Sequence, residues 1–228
     1  MTDAALWPGF ILHSRALGED KLILQLLLAQ HGRMSAVVRK KQGKRRLALQ
    51  PFQLFMLQLS GRTELKTVRS IDEASPAMLY SGTVLYSGMY LNELVCRLWP
   101  DNLASEQLFE LYQHSLQQLW QVQQQHVALE PCLRRFEFAL LAELGQPIDF
   151  HTDIDGRPIA AQNQYQWLHE QGFALASRGY SGSHLLAIAE DDWQHADTLR
   201  CAKQLSRQLL APLLGTKPLA SRALFEQR

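Results

Sequence analysis

The sequence predicts an α+β protein in two parts: a small β-barrel, then a mainly helical domain. Three observations predict it. Short apolar runs punctuated by glycine fill the first part of the chain, up to Ile71. From Val84 onward the apolar residues recur at helical steps. Charge is divided along the same line. Residues 1–80 hold 12 Lys/Arg and 6 Asp/Glu, a net +6, while residues 81–228 hold 11 and 16, a net −5, so a total of +1 conceals a basic front end and an acidic back end.

Phe10-Ile11-Leu12-His13 forms the first strand and meets a turn at Leu17-Gly18-Glu19-Asp20. Leu22 to Ala29 forms the second and closes at His31-Gly32. Met34, Ala36 and Val38 alternate with small or polar neighbours, the pattern of a half-buried third strand. Pro51 to Leu59 is the fourth, ended by Ser60-Gly61-Arg62, and Leu65 to Ile71 the fifth, where Thr67, Val68 and Ile71 favour extended backbone. Five short strands with exposed edges are resolved by closure, and the five-stranded oligonucleotide-binding (OB) barrel is such a closure. Residues 1–80 are therefore expected to form an OB-fold that binds nucleic acid. Between the third and fourth strands, six of the eight residues from Arg39 to Arg46 are basic: Arg39, Lys40, Lys41, Lys44, Arg45 and Arg46.

Val84, Gly88, Leu91, Val95 and Leu98 share one face of a first helix. Ser105 is a fitting N-cap for a second helix that carries Leu108, Leu111, Tyr112, Leu116, Leu119 and Trp120. A third has Pro131 in its first turn and ends at Gly145 and Pro147. A final helix is expected from Asp192 to Ala211, stopped by Pro212 and Gly215, with Glu190-Asp191-Asp192 at its N-terminal end. Residues 148–183 read as an irregular region of turns with a strand or two. Residues 81–228 thus make a helical domain.

Several function classes are excluded. No apolar stretch is long enough to span a membrane, and no secretory signal is evident at the N-terminus. Cys96, Cys132 and Cys201 are far apart and odd in number, which suits small buried side chains in a reducing, cytoplasmic setting. No Cys-x-x-Cys pair exists, so no metal is expected. No catalytic residue is expected either: Gly179-Tyr180-Ser181-Gly182-Ser183 lacks the last glycine of a nucleophile elbow, and His169-Glu170 has no second histidine. Asp153 and Asp155 are the one carboxylate pair a Mg²⁺-dependent nuclease would use, but Asp155-Gly156 reads better as a turn.

Concentrated positive charge is best used on a polyanion, because each neutralised phosphate releases counterions. The basic run contains no aromatic, so it clamps phosphates without stacking bases. Arg15 and Arg33 join it as candidate DNA contacts, with Lys21, Arg62, Lys66 and Arg69 behind them. Trp7, Phe10, Phe52 and Phe55 read as core rather than as stacking platforms.

Four segments carry a family resemblance: Leu49-Gln50-Pro51-Phe52; Leu85-Tyr86-Ser87-Gly88-Met89-Tyr90-Leu91-Asn92-Glu93-Leu94; Leu133-Arg134-Arg135-Phe136-Glu137 through Gly145; and Leu214-Gly215-Thr216-Lys217-Pro218-Leu219-Ala220-Ser221-Arg222. In this order and spacing the chain resembles the RecO family of bacterial recombination mediators over its whole length. The resemblance implies binding of single- and double-stranded DNA and annealing of complementary strands. It implies help in loading RecA, with RecR and in some settings RecF, onto DNA coated by single-stranded DNA-binding protein (SSB), and binding of the acidic SSB C-terminal tail. It implies a cytoplasmic, nucleoid-associated place and no enzymatic activity. A tail receptor needs an apolar pocket beside a basic side chain. Arg134 is the first candidate beside Leu133, ahead of Lys203 and Arg207, and an ion pair with Glu130, Glu137 or Glu143 is the competing use of Arg134. Many relatives carry a four-cysteine zinc motif in the helical domain; here no cysteine lies between Cys132 and Cys201, so residues 148–183 are expected to cohere by packing alone. A plain nucleic-acid-binding OB module is the alternative function.

Overall fold

In the computed structural model, residues 5–39 and 49–226 are described. Five strands close into a barrel in the order β1-β2-β3-β5-β4. They are β1 (Trp7–Leu17), β2 (Lys21–Leu28), β3 (Gly32–Arg39), β4 (Leu54–Ser60) and β5 (Lys66–Glu73). All neighbours are antiparallel except β3 and β5, which run parallel and pair only at Ala36↔Lys66 and Val37↔Thr67. Strand alternation turns Leu24, Leu26, Leu28, Met34, Ala36, Phe55 and Leu57 into one core. Closure removes the exposed edges that the sequence had to dispose of. The hairpin of β1 and β2 is longer than the apolar run Phe10–His13 suggests, because β1 continues through polar residues that face water on its outer half.

By compactness the chain divides into two units, Met1–Val127 with Lys217–Arg228, and Ala128–Thr216. The first holds the barrel, α1 (Gly82–Leu98), α2 (Glu106–Gln123) and the short α6 (Ala220–Glu226). One outer face of the barrel is buried by the helices. Phe10 stacks at 5.4 Å on Phe109 and 5.1 Å on Tyr112, and Asn92 donates to the Leu12 carbonyl at 2.8 Å while accepting from the Tyr112 hydroxyl at 2.5 Å. Gly88 is required: a Cβ there would lie 2.8 Å from the Phe52 ring. Gly32 is required twice over, by a φ of +68° and by the Leu103 carbonyl 1.8 Å from where its Cβ would be. Ser105 caps α2 as its position predicts, accepting from the Leu108 amide at 2.9 Å.

The second unit holds α3 (Leu129–Glu143), β6 (Gln164–Leu168), β7 (Gly172–Ala176), β8 (Tyr180–Ser181), α4 (Gly182–Ala189) and α5 (Ala196–Leu214). Residues 148–183 form a three-stranded sheet ordered β7-β6-β8 and are held by aromatics. Phe173 contacts Trp167 at 5.0 Å, Phe150 at 5.9 Å and Tyr180 at 6.3 Å, and Phe150 contacts Phe138 at 5.4 Å. Two expectations are corrected. Glu190, Asp191 and Asp192 lie just past α4 rather than at the start of the last helix, because Asp191 turns back with φ 56° to meet Arg135. The last helix starts at Ala196 and runs through Pro212 to Leu214 before Gly215 stops it; a proline so close to the end forfeits little of the helix's bonding. Cys96, Cys132 and Cys201 sit in α1, α3 and α5 as free thiols, and burial pushes Cys96 and Cys201 up to about 11. No helix among the described residues is long and apolar enough to cross a membrane.

Candidate nucleic-acid interface

The short parallel pairing of β3 and β5 creates a cation-lined cleft on the barrel. Past Val37↔Thr67 the two strands part, and a cleft opens between them. Its apolar lining is Val37, Val38, Val68 and Ile71, and its cations are Lys21, Arg39 and Arg69. Register places Lys21 directly opposite Arg39, two like charges on adjacent strands. Such a pair destabilises the bare barrel slightly and favours an anion between or above it. Arg69 is aimed by a 2.7 Å bond from its Nε to the Ser60 hydroxyl, and Lys66 reaches the Gly61 carbonyl at 3.3 Å. None of Lys21, Arg39 and Arg69 enters an ion pair among the described residues.

Of the predicted contacts, Arg39 is exposed at the end of β3, where the basic run begins. Lys40, Lys41, Lys44, Arg45 and Arg46 lie outside the described residues. Arg15 is exposed on β1 and lines a separate small pocket with Ser35, Glu64 and Asp101. Arg33 is spoken for: Nε donates to the Trp99 carbonyl at 2.9 Å, Nη1 to Gln25 Oε1 at 3.2 Å, and Nη2 pairs with Asp101 at 3.0 Å. Phe10, Phe52 and Phe55 are buried in the core, and Trp7 is half-buried against His31 at 4.2 Å. The cleft therefore offers charge and aliphatic surface but no aromatic platform. It suits sugar–phosphate contacts that are indifferent to base identity.

In the second unit, Arg134 is buried on α3, paired with Glu137 at 2.8 Å and donating to the Ser206 hydroxyl at 2.8 Å. Arg135 makes two bonds to Asp191, at 2.7 and 2.8 Å, and lies 5.9 Å from the Trp193 ring. The Arg135 guanidinium and the Trp193 indole N–H hold the Asp191 carboxyl below its usual range. Adjacent arginines diverge by about 100° on a helix, and here both find carboxylates instead of a pocket rim and water. Leu133 is half-buried, while Lys203 and Arg207 are exposed one turn apart on α5.

The carboxylate pair is a turn. Asp153 Oδ1 accepts the amides of Asp155 at 3.0 Å and Arg157 at 2.9 Å, and Asp155 pairs with Arg157. Among the described residues no group of three His, Cys, Asp or Glu side chains converges to hold a metal ion.

What sequence reasoning missed is the convergence. Lys21 and Arg69 ranked behind the basic run, and Val68 and Ile71 gave no functional signal. Only strand register, which follows from long-range pairing, brings the three cations and the aliphatic floor together.

Comparison with known proteins agrees with this architecture. Residues 4–76 match the family model described as recombination protein O N terminal, and residues 79–223 the one described as recombination protein O C terminal. A protein named DNA repair protein RecO from Stutzerimonas stutzeri is 43% identical over 222 residues, covering 96% of this chain and 92% of that protein. Its namesake from Pseudomonas putida strain F1 is 42% identical over 225 residues, covering 97% of each chain. One from Klebsiella pneumoniae is 39% identical over 227 residues, covering 96% of this chain and 91% of its own. With both halves matched in order and relatives aligned over nearly their full lengths, the chain belongs to the recombination protein O (RecO) family.

Proposed function

We propose that this protein is a non-enzymatic DNA-binding mediator of recombinational repair, which anneals complementary strands and helps load RecA onto SSB-coated single-stranded DNA. Residues 1–80 hold DNA and residues 81–228 meet partners, the SSB tail and RecR among them. The observation that carries the reading is the cation set Lys21, Arg39 and Arg69 around an aliphatic cleft, without ion-pair partners among the described residues, of which Arg39 leads in sequence into the run Lys40 to Arg46. Annealing needs a surface that screens two phosphate backbones from each other while leaving base edges free, and no proton-transfer group is required for that. A cleft with cations and no aromatic meets the requirement. Lys203 and Arg207, exposed on α5, are the cations we assign to the SSB tail, with Leu133 on α3 as the candidate apolar contact. Arg134 serves that contact only if the tail displaces Glu137.

The test is annealing of SSB-coated complementary oligonucleotides by the full chain. Wild-type protein should accelerate pairing, and the triple substitution Lys21→Glu, Arg39→Glu, Arg69→Glu should reduce the rate at least about tenfold at low salt. Binding without acceleration would mark a plain nucleic-acid-binding module, and an unchanged rate in the triple variant would remove the cleft from the interface.

A further inference from the structure

The second unit contains a groove that the DNA reading does not use. It runs between the end of α3, the β6–β7 turn and the last turns of α5. Leu144, Trp167 and Leu209 give it an apolar floor, Asp149 and Glu170 stand exposed along it, and Asp153 lies buried beneath, tied to its own turn. Among the described residues no lysine or arginine lines it, and His169 is its one basic side chain. The Thr152 hydroxyl and the His151 amide hold the Asp149 carboxyl below its usual range, so that charge persists into mildly acid solution. The carboxylates are strung out rather than gathered, since no three of the described metal-ligating side chains converge. A dispersed row of charges beside apolar surface matches an extended chain better than a single ion. Trp167 adds a ring whose orientation is fixed by its edge-on contact with Phe173 at 5.0 Å, and an indole face is the strongest aromatic seat for a guanidinium or ammonium group.

We propose that this groove docks an extended, arginine- or lysine-bearing segment of a partner protein, with an apolar side chain on the Leu144–Leu209 floor and a cation against Trp167 and Glu170. Charge complementarity fixes the occupant: an acidic tail or a phosphate backbone is repelled by the exposed carboxylates of Asp149 and Glu170. The site therefore separates a basic-peptide partner from the polyanions assigned to the barrel and to α5.

The experiment titrates the full chain into a short fluorescein-labelled peptide of alternating arginine and leucine and reads anisotropy at low salt. Wild-type protein should bind it, and the peptide with glutamate in place of arginine should not bind. Glu170→Lys and Trp167→Ala should each weaken binding at least about tenfold, while affinity for oligothymidylate stays unchanged in Glu170→Lys. Trp167→Ala also loosens the aromatic cluster, so Glu170→Lys, on an exposed turn, is the deciding variant. Absence of binding overturns the proposal. So does wild-type peptide affinity in Glu170→Lys, or displacement of the peptide by spermidine at matched charge, which would reduce the groove to a counterion patch.

Discussion

Arg33 and Arg39 are six residues apart on one strand and do different physical jobs. Both lie on the outer face of β3, since side chains an even number of residues apart share a face. Arg33 spends its donors on the Trp99 carbonyl, Gln25 and Asp101, and its side chain is only 15% exposed. Arg39 is exposed and faces Lys21. Truncating Arg33 leaves the part-buried acceptors of Trp99 and Gln25 short of a donor, whereas truncating Arg39 removes one of two repelling charges. Arg33→Ala should therefore cost about 2 kcal/mol of stability and lower the urea midpoint. Arg39→Ala should leave the midpoint unchanged or slightly raised, yet weaken binding of single-stranded oligonucleotide. The reverse result in urea melts and DNA titrations would exchange their roles.

At the scale of elements, the segments that carry the family resemblance turn out to be joints. Phe52 fills the space left by Gly88, and Asn92 ties α1 to the Leu12 carbonyl. Glu93 accepts the amides of Ala220 and Ser221 at 2.8 Å each and the Ser221 hydroxyl at 2.6 Å, fastening the start of α6 to α1. Arg97 adds bonds to the carbonyls of Lys217 and Pro218. Burial alone would raise the Glu93 carboxyl, but Ser221, the Ala220 amide and Arg97 outweigh it and hold it below its usual value of 4.5. The sign follows: a depressed carboxyl stabilises the fold above its unfolded value, and that stability is lost as pH falls through the folded value. Glu93→Gln should thus cost about 1 kcal/mol at neutral pH, a deficit that shrinks as acid protonates the wild-type carboxyl, and thermal melts at neutral pH and in acid well below its folded value would reveal the convergence. Equal deficits at both would mean the carboxylate charge contributes nothing. Such joints also explain what was legible. The five strands and the Ser105 cap were readable because period and capping are local. The three-stranded sheet, α4 and the place of Asp191 were not. They depend on Phe173 gathering Phe150, Trp167 and Tyr180, and on Arg135 drawing Asp191 back across the fold. The basic run was visible at once as a candidate DNA contact, but the cleft that Arg39 lines was invisible before β3 and β5 were in register.

For the whole molecule, the informative quantity is the distribution of charge. A chain of +1 would bind DNA weakly if its charge were spread evenly, because attraction to phosphate would be cancelled by the acidic half. The +6 of residues 1–80 and the −5 of residues 81–228 would instead make the proposed binding directional. Salt dependence measures how many cations take part, since each phosphate contact with a single strand contributes about 0.7 to the log–log slope. Five contacts from the run Arg39–Arg46 would give a slope of roughly −3.5. If Lys21, Arg39 and Arg69 all meet phosphate, the substitution of all three by glutamine should flatten the measured slope by about 2, three contacts at about 0.7 each. Glutamine keeps the side-chain length and adds no repulsion, so the slope change counts lost contacts rather than new charge. Substituting Lys203 and Arg207 in the same way should leave the slope unchanged, because they belong to the acidic half and are assigned to a protein tail. Fluorescence titration of oligothymidylate across a salt series gives both slopes. A flattening in the α5 variant equal to that in the cleft variant would place phosphate on both ends of the chain and dissolve the division of labour.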